Sequence, residues 1–200
     1  MKTNLSIFGK AVVGVAGWLL WMSVTARGGS APGPAEGHPV RPTPLRVEAD
    51  KPNALRFAPR PARFVRFVIQ ESTGGQPCLD ELEVYGPEDP QNLALASRGA
   101  KATASSCLPG YAIHQIAHLN DGQYGNSRSW IAGGTSGEWA QIELPEPTPV
   151  AKVVFSRDRE GRYPDRLPTQ FEIQLSLDGK EWQTVSRVGP RLVLPTTSDW

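Results

Sequence analysis

The sequence predicts an all-β fold, an antiparallel jelly-roll β-sandwich, on three observations. Apolar residues alternate with polar ones at period two in several short runs, turn-forming residues separate those runs, and an Asp178-Gly179 pair stands between two of them. Period-two alternation puts one side of a strand against a core and the other in water, whereas a helix needs a spacing near 3.6. Half-buried strands must cover their apolar faces, so two stacked sheets are the economical arrangement.

The first run holds Phe64, Val65, Phe67, Val68 and Ile69, and the second Leu82, Val84 and Tyr85. Further strands are expected over residues 139–144, 150–156, 171–177 and 182–185, with Gly, Pro, Asp and Asn between them. Asp178-Gly179 supplies the left-handed backbone that a tight hairpin requires, so the last two runs are read as a hairpin. Helix is expected only as a short piece near residues 113–119. Trp130 and Trp139 are read as core filling, since a sandwich needs large apolar side chains. No period long enough for a solenoid or propeller repeats.

At 200 residues, with 39% apolar and 20% charged content, the chain can bury one ordinary core, and a second full domain would be cramped. Its formal charge of +1 suggests neither a nucleic-acid footprint nor a polybasic membrane surface by totals. Lys2 and Lys10 precede a nearly unbroken apolar run from Ala11 to Trp21, followed by Ser23, Val24, Thr25 and Ala26. That order matches a secretory signal peptide cleaved after Ala26, and an uncleaved membrane anchor is the alternative. Secretion, or a periplasmic or cell-surface location, is expected. Residues 27–45 are rich in Pro, Gly, Ala and Ser, which suits an extended linker and cannot build a core. The folded domain is therefore placed at 46–200. Its cysteines, Cys78 and Cys107, are expected to form a disulfide, as exported proteins with two thiols commonly do, with two buried free thiols as the alternative.

The order of motifs from Asn92 onward resembles the discoidin, or coagulation-factor type C, family of galactose-binding-like β-sandwiches. The resemblance rests on Asn92-Leu93-Ala94-Leu95, Ala102-Thr103-Ala104-Ser105-Ser106, Asn120-Asp121-Gly122 and Ser129-Trp130. It continues through Glu138 to Leu144, Val153-Val154-Phe155, and Phe171 to Gly179 before Trp182. The closing strands of that family stand here ahead of the domain instead, in Ala62 to Ile69 and Leu79 to Gly86. A circular permutation follows as the expectation, with residues 54–86 completing a main sandwich at 91–187. The alternative is that 54–86 is the remnant of another copy.

The resemblance implies a structural calcium held by hard oxygen ligands. Asp121 matches the loop carboxylate and Glu81 the closing-strand carboxylate, with carbonyls from His118, Gln123 and Asp80, and Asn126 or Ser127 completing the set. It also implies a ligand site in the loops at one end of the sandwich, where Arg157 occupies the family's arginine position. Asp158, Tyr163 and Arg166 share that loop and Tyr111 offers a second aromatic ring, a set suited to hydroxyl-rich partners. The alternative for this loop is a solvated segment whose charges pair with one another. No counterpart of the family's sugar-contacting histidine is evident.

Catalytic patterns fail on residues. His114 and His118 stand four apart, but Gln115 occupies the place where a zinc hydrolase needs its glutamate, and no nucleophile elbow, phosphate loop or dinucleotide fingerprint occurs. The expectation is a non-enzymatic extracytoplasmic module that binds glycan or another cell-envelope polymer. The alternative is a structural or protein-interaction domain that docks onto a partner enzyme or surface protein.

Overall fold

A computed structural model describes residues 46–189, so the expected signal segment and linker lie outside the described residues, as do residues 190–200. Eight strands follow one another: β1 (Asn53–Ser72), β2 (Cys78–Leu79), β3 (Glu81–Tyr85), β4 (Lys101–Ala104), β5 (Trp130–Ile131), β6 (Glu138–Ser156), β7 (Pro168–Ser176) and β8 (Gln183–Val188). Every strand pairing is antiparallel. Among the described residues helix is confined to single 3-10 turns, and the one at Ile116–His118 falls inside the stretch read as helical.

Two long strands build both layers. The first part of β1, Asn53 to Arg56, pairs with the last part of β6, whose other edge carries β3. After a bend, residues 64–69 of β1 pair with the first part of β6, and β4, β7 and β8 extend that layer to five strands. The register of the β1–β6 ladder shifts between Arg56 and Arg60 and again between Ala62 and Phe64. Pro59, Pro61, Pro145, Pro147 and Pro149 cluster at this corner, all exposed. Proline lacks the N–H that a continuous ladder needs, and a bend between layers is where the ladder can do without it. The sequence reading gave two separate strands over 139–156; the structure joins them through this bent proline segment.

The alternation dictates what each layer buries. Val65, Phe67 and Ile69 point inward from β1, with Ala140, Ile142 and Leu144 from β6 and Phe171, Ile173 and Leu175 from β7. Phe155, from the three-stranded layer, closes on them. Its ring centroid lies 4.9 Å from Phe67 and 5.1 Å from Phe171, and Phe67 and Phe171 are 4.6 Å apart. The intervening positions face outward. There the Arg66 guanidinium sits 4.4 Å from the Trp139 ring and 3.8 Å from the Trp182 ring, and donates to Gln141 Oε1 at 2.8 and 3.1 Å. Trp139 thus covers the outer face, against the expectation that it fills the core; Trp130 does fill it, its indole N–H donating to the Ser106 carbonyl at 2.9 Å.

Residues 53–85 are integral to this sandwich, since β1 lies hydrogen-bonded between β6 and β7 and β3 borders β6. The expected disulfide, in contrast, is absent: Cys78 is a buried free thiol and Cys107 an exposed one. Strand β5 separates them. The peptide unit between Ile131 and Ala132 donates to the Pro77 carbonyl on one side and accepts from the Leu108 N–H on the other. Two strand spacings put the cysteine backbones about 10 Å apart, beyond disulfide reach. Burial also pushes the Cys78 thiol up to about 11, which opposes thiolate chemistry.

Candidate ligand-binding site

The loops after β4, after β6 and between β1 and β2 gather at one end of the sandwich, and the segment ahead of β1 joins them through the Asp158 N–H bond to the Ala49 carbonyl. Arg157 is the first residue after β6. It is only 1% exposed, so it is not the free loop side chain expected from sequence. Its Nε donates to the Asp165 carbonyl at 2.7 Å, Nη2 to Asp165 Oδ1 at 3.0 Å and Nη1 to Asn126 Oδ1 at 2.9 Å. Three of its five N–H groups are thereby committed, and the planar fork is held in one orientation.

The Asn126 end of that bond continues into a hydrogen-bonded chain. Ser129 Oγ donates to the Asn126 carbonyl at 2.8 Å and meets His114 Nδ1 at 2.9 Å. A hydroxyl has one proton, already given to Asn126, so His114 Nδ1 must be the donor in this contact. Burial, and then the positive charges of Arg157 and Arg166, hold the His114 pKa below the usual imidazole range. The ring is therefore neutral, with Nε2 left as an acceptor. His114 entered the sequence reading only as half of a failed zinc pair. Its place beside Arg157 depends on Ser129 and Asn126, and no local spacing announces it.

Two exposed rings flank the chain. Tyr111, 54% exposed, lies 5.7 Å from the His114 ring, and Tyr163, 48% exposed, has the Arg157 guanidinium 5.6 Å from its centroid. A shallow recess of about 460 Å³ lined by Cys107, Tyr111, His114 and Ile116 opens on one side, and one of about 370 Å³ lined by Glu48, Asp50, Tyr163 and Pro164 on the other. Arg166 borders the site with a backbone φ of 58°, in the left-handed region. Its N–H bonds the Thr73 carbonyl, its carbonyl accepts from Cys78, and its guanidinium reaches Gln76 and Asp165. Asp158, expected as a ligand contact, is instead fully buried and engaged by backbone amides.

Of the residues expected around calcium, Glu81 and Asp121 do come together. Glu81 is buried, and its carboxylate receives only the Gly122 N–H, at 3.2 and 3.3 Å. Burial, followed by the charges of Asp121, Glu83 and Asp80, pushes its pKa up to about 9. Asp121 accepts from Gln123 N at 2.8 Å and pairs with Arg128 at 2.6 Å. The His118 ring is turned to the Ile113 carbonyl, and Asp80 spends its carboxylate on backbone amides. Asn126 turns its side-chain oxygen to Arg157 and its carbonyl to the Ser129 hydroxyl. Among the described residues no three His, Cys, Asp or Glu side chains stand together as a metal cage, so carbonyls would have to complete any site.

Residues 101–198 match the family model described as F5/8 type C domain. The chain carries an F5/8 type C, or discoidin, domain. No curated protein and no solved structure matches it. Discoidin domains generally bind carbohydrate or protein and are typically non-catalytic. The match begins at β4, so β1, β2 and β3 lie ahead of the matched segment while forming part of the same sandwich.

Proposed function

We propose that this discoidin domain is a non-catalytic, extracytoplasmic binding module whose ligand is a glycan or another hydroxyl-rich envelope polymer. One observation carries the reading: the chain His114, Ser129, Asn126, Arg157, Asp165, fixed between two exposed tyrosines. A sugar hydroxyl is donor and acceptor at once. Neutral His114 Nε2 would accept from it, held in place by the chain that buried Arg157 anchors, while a tyrosine ring covers the apolar face of the sugar. The location rests on residues 1–26, with the 27–45 linker as spacer.

The test is a glycan array together with pull-downs on insoluble chitin, cellulose, xylan and peptidoglycan. We expect retention by at least one polymer and a loss of tenfold or more for Tyr163→Ala and His114→Ala. Absence of binding above background to every polymer would defeat the reading. The exposed run Pro109 to Ile113, with Tyr111 and Ile113 about half exposed, favours a second reading, a protein-interaction domain. Capture of a protein partner, lost in Tyr111→Ala and unaffected by added sugar, is the outcome that would select it.

We also propose that a calcium-sized cation sits between Glu81 and Asp121. Support comes from a carboxyl group buried beside other carboxylates, with one weak donor and no cationic side chain among the described residues. Such a group keeps a proton or takes a hard cation. With a folded pKa of about 9 against an ordinary one near 4.5, the metal-free native state binds the extra proton between those values. Its stability therefore falls as pH rises through that window. Melting scans without calcium should show that fall, and Glu81→Gln should flatten it. Added calcium should raise the melting temperature more at pH ~8 than at pH ~6, and an identical calcium response in wild type and Glu81→Gln would remove the site.

A further inference from the structure

Two buried carboxylates grip the loops of the proposed site. Asp158 Oδ1 accepts from the Asn126 N–H at 3.1 Å and the Glu160 N–H at 3.2 Å, and its Oδ2 accepts from the Arg162 and Tyr163 N–H groups, both at 2.9 Å. Asp80 Oδ2 accepts from the Gly125 N–H at 3.0 Å and the Arg159 N–H at 2.8 Å, and its other oxygen takes the Ser156 hydroxyl. Both residues are fully buried, and neither forms an ion pair among the described residues. The amides supply the compensation that a buried anion needs.

We propose that Asp158 and Asp80 are the positioning residues of the ligand site. Each bonds one amide of the 124–128 loop, Gly125 for Asp80 and the adjacent Asn126 for Asp158, and at least one of the 157–166 loop, Arg159 for Asp80 and Glu160, Arg162 and Tyr163 for Asp158. That double grip sets the register in which Asn126 Oδ1 meets Arg157. The close approach shows at Gly125, whose φ is 97° and where an added Cβ would lie 2.6 Å from Glu160 Cδ. Asp80 stands ahead of residue 101, outside the family-matched segment, so part of the order in the matched loops is imposed from the strands that precede them. Loops already held in the binding arrangement need not be ordered by the ligand, which is where affinity is gained. The proposal rests on reading the Arg157 network as the ligand site.

Asp158→Asn and Asp80→Asn test it, because each keeps the shape of the side chain but turns one acceptor oxygen into an N–H donor facing amide N–H groups. Hydrogen exchange at residues 125, 126, 159, 160, 162 and 163 should accelerate tenfold or more in both variants while strand amides keep their protection. Affinity electrophoresis through gels containing galactan, xylan or glycol chitin should show retardation weakened tenfold or more. Wild-type exchange rates in the variants would overturn the proposal, as would faster exchange with unchanged retardation. Global unfolding of both variants would also overturn it, since the carboxylates would then be holding the sandwich. If wild-type protein migrates freely through all three gels while the loop amides respond as stated, the glycan reading fails and the positioning role stands.

Discussion

A chain shortened to residues 101–200 is expected to show no cooperative unfolding transition, although it contains the whole family-matched segment. Strand β1 lies between β6 and β7, and its removal would strip hydrogen-bond partners from the inner edges of both. It would also remove Leu55, Ala62, Val65, Phe67 and Ile69 from the core, and the loss of β3 would add Leu82 and Val84. At about 1.5–3 kcal/mol for each large buried side chain, the loss is on the order of 10 kcal/mol or more. That is comparable to the whole stability of a domain, about 5–15 kcal/mol. The exposed inner edges would then template intermolecular pairing. Circular dichroism and size-exclusion chromatography of 101–200 beside 46–200 check this. A monomeric, β-rich 101–200 fragment with a sigmoidal melt would mean that the early strands are dispensable.

Within the intact domain, Phe67→Ala is expected to cost about 3–5 kcal/mol. Phe67 touches Phe171 in its own layer and Phe155 across the sandwich, so its deletion opens a cavity bordered by both layers. Neither neighbour can collapse into that cavity without leaving the other. The adjacent residue supplies the control. Arg66 points outward into the Trp139 and Trp182 rings, where truncation removes surface stacking worth about 1 kcal/mol. Urea unfolding of the two variants should separate them by a factor of about three in lost stability. Equal losses would contradict the inside–outside assignment of β1.

That assignment was legible in Phe64 to Ile69 because alternation is a property of consecutive residues: inward Phe67 beside outward Arg66 requires no knowledge of what lies opposite. The turn at Asp178-Gly179 was legible as a reversal, with Gly179 at a φ of 75°, although the connection between β7 and β8 spans residues 177–182 and is longer than the tight hairpin expected. The order of motifs from Asn92 onward also led to the family that residues 101–198 match. The site was legible only in part. Arg157 and Tyr163 were singled out as residues, but the burial of Arg157 was not foreseen, because it depends on Asn126 and Asp165 arriving from other segments. His114 was missed, since Ser129, fifteen residues away, is what ties it to Asn126.

The sequence by itself determined which positions face a core and where the chain can turn, because both follow from local backbone geometry and from transfer of apolar side chains out of water. Tertiary structure alone decided which distant residues meet. Cys78 and Cys107 look like partners until β5 is seen to run between them, and Asp158 looks like a free loop carboxylate until four amides close on it. The cysteine outcome is set by the register of strands far apart in the chain, a relation between segments that no single segment contains, and the Asp158 outcome by its own loop folding back on it together with Asn126 arriving from another segment.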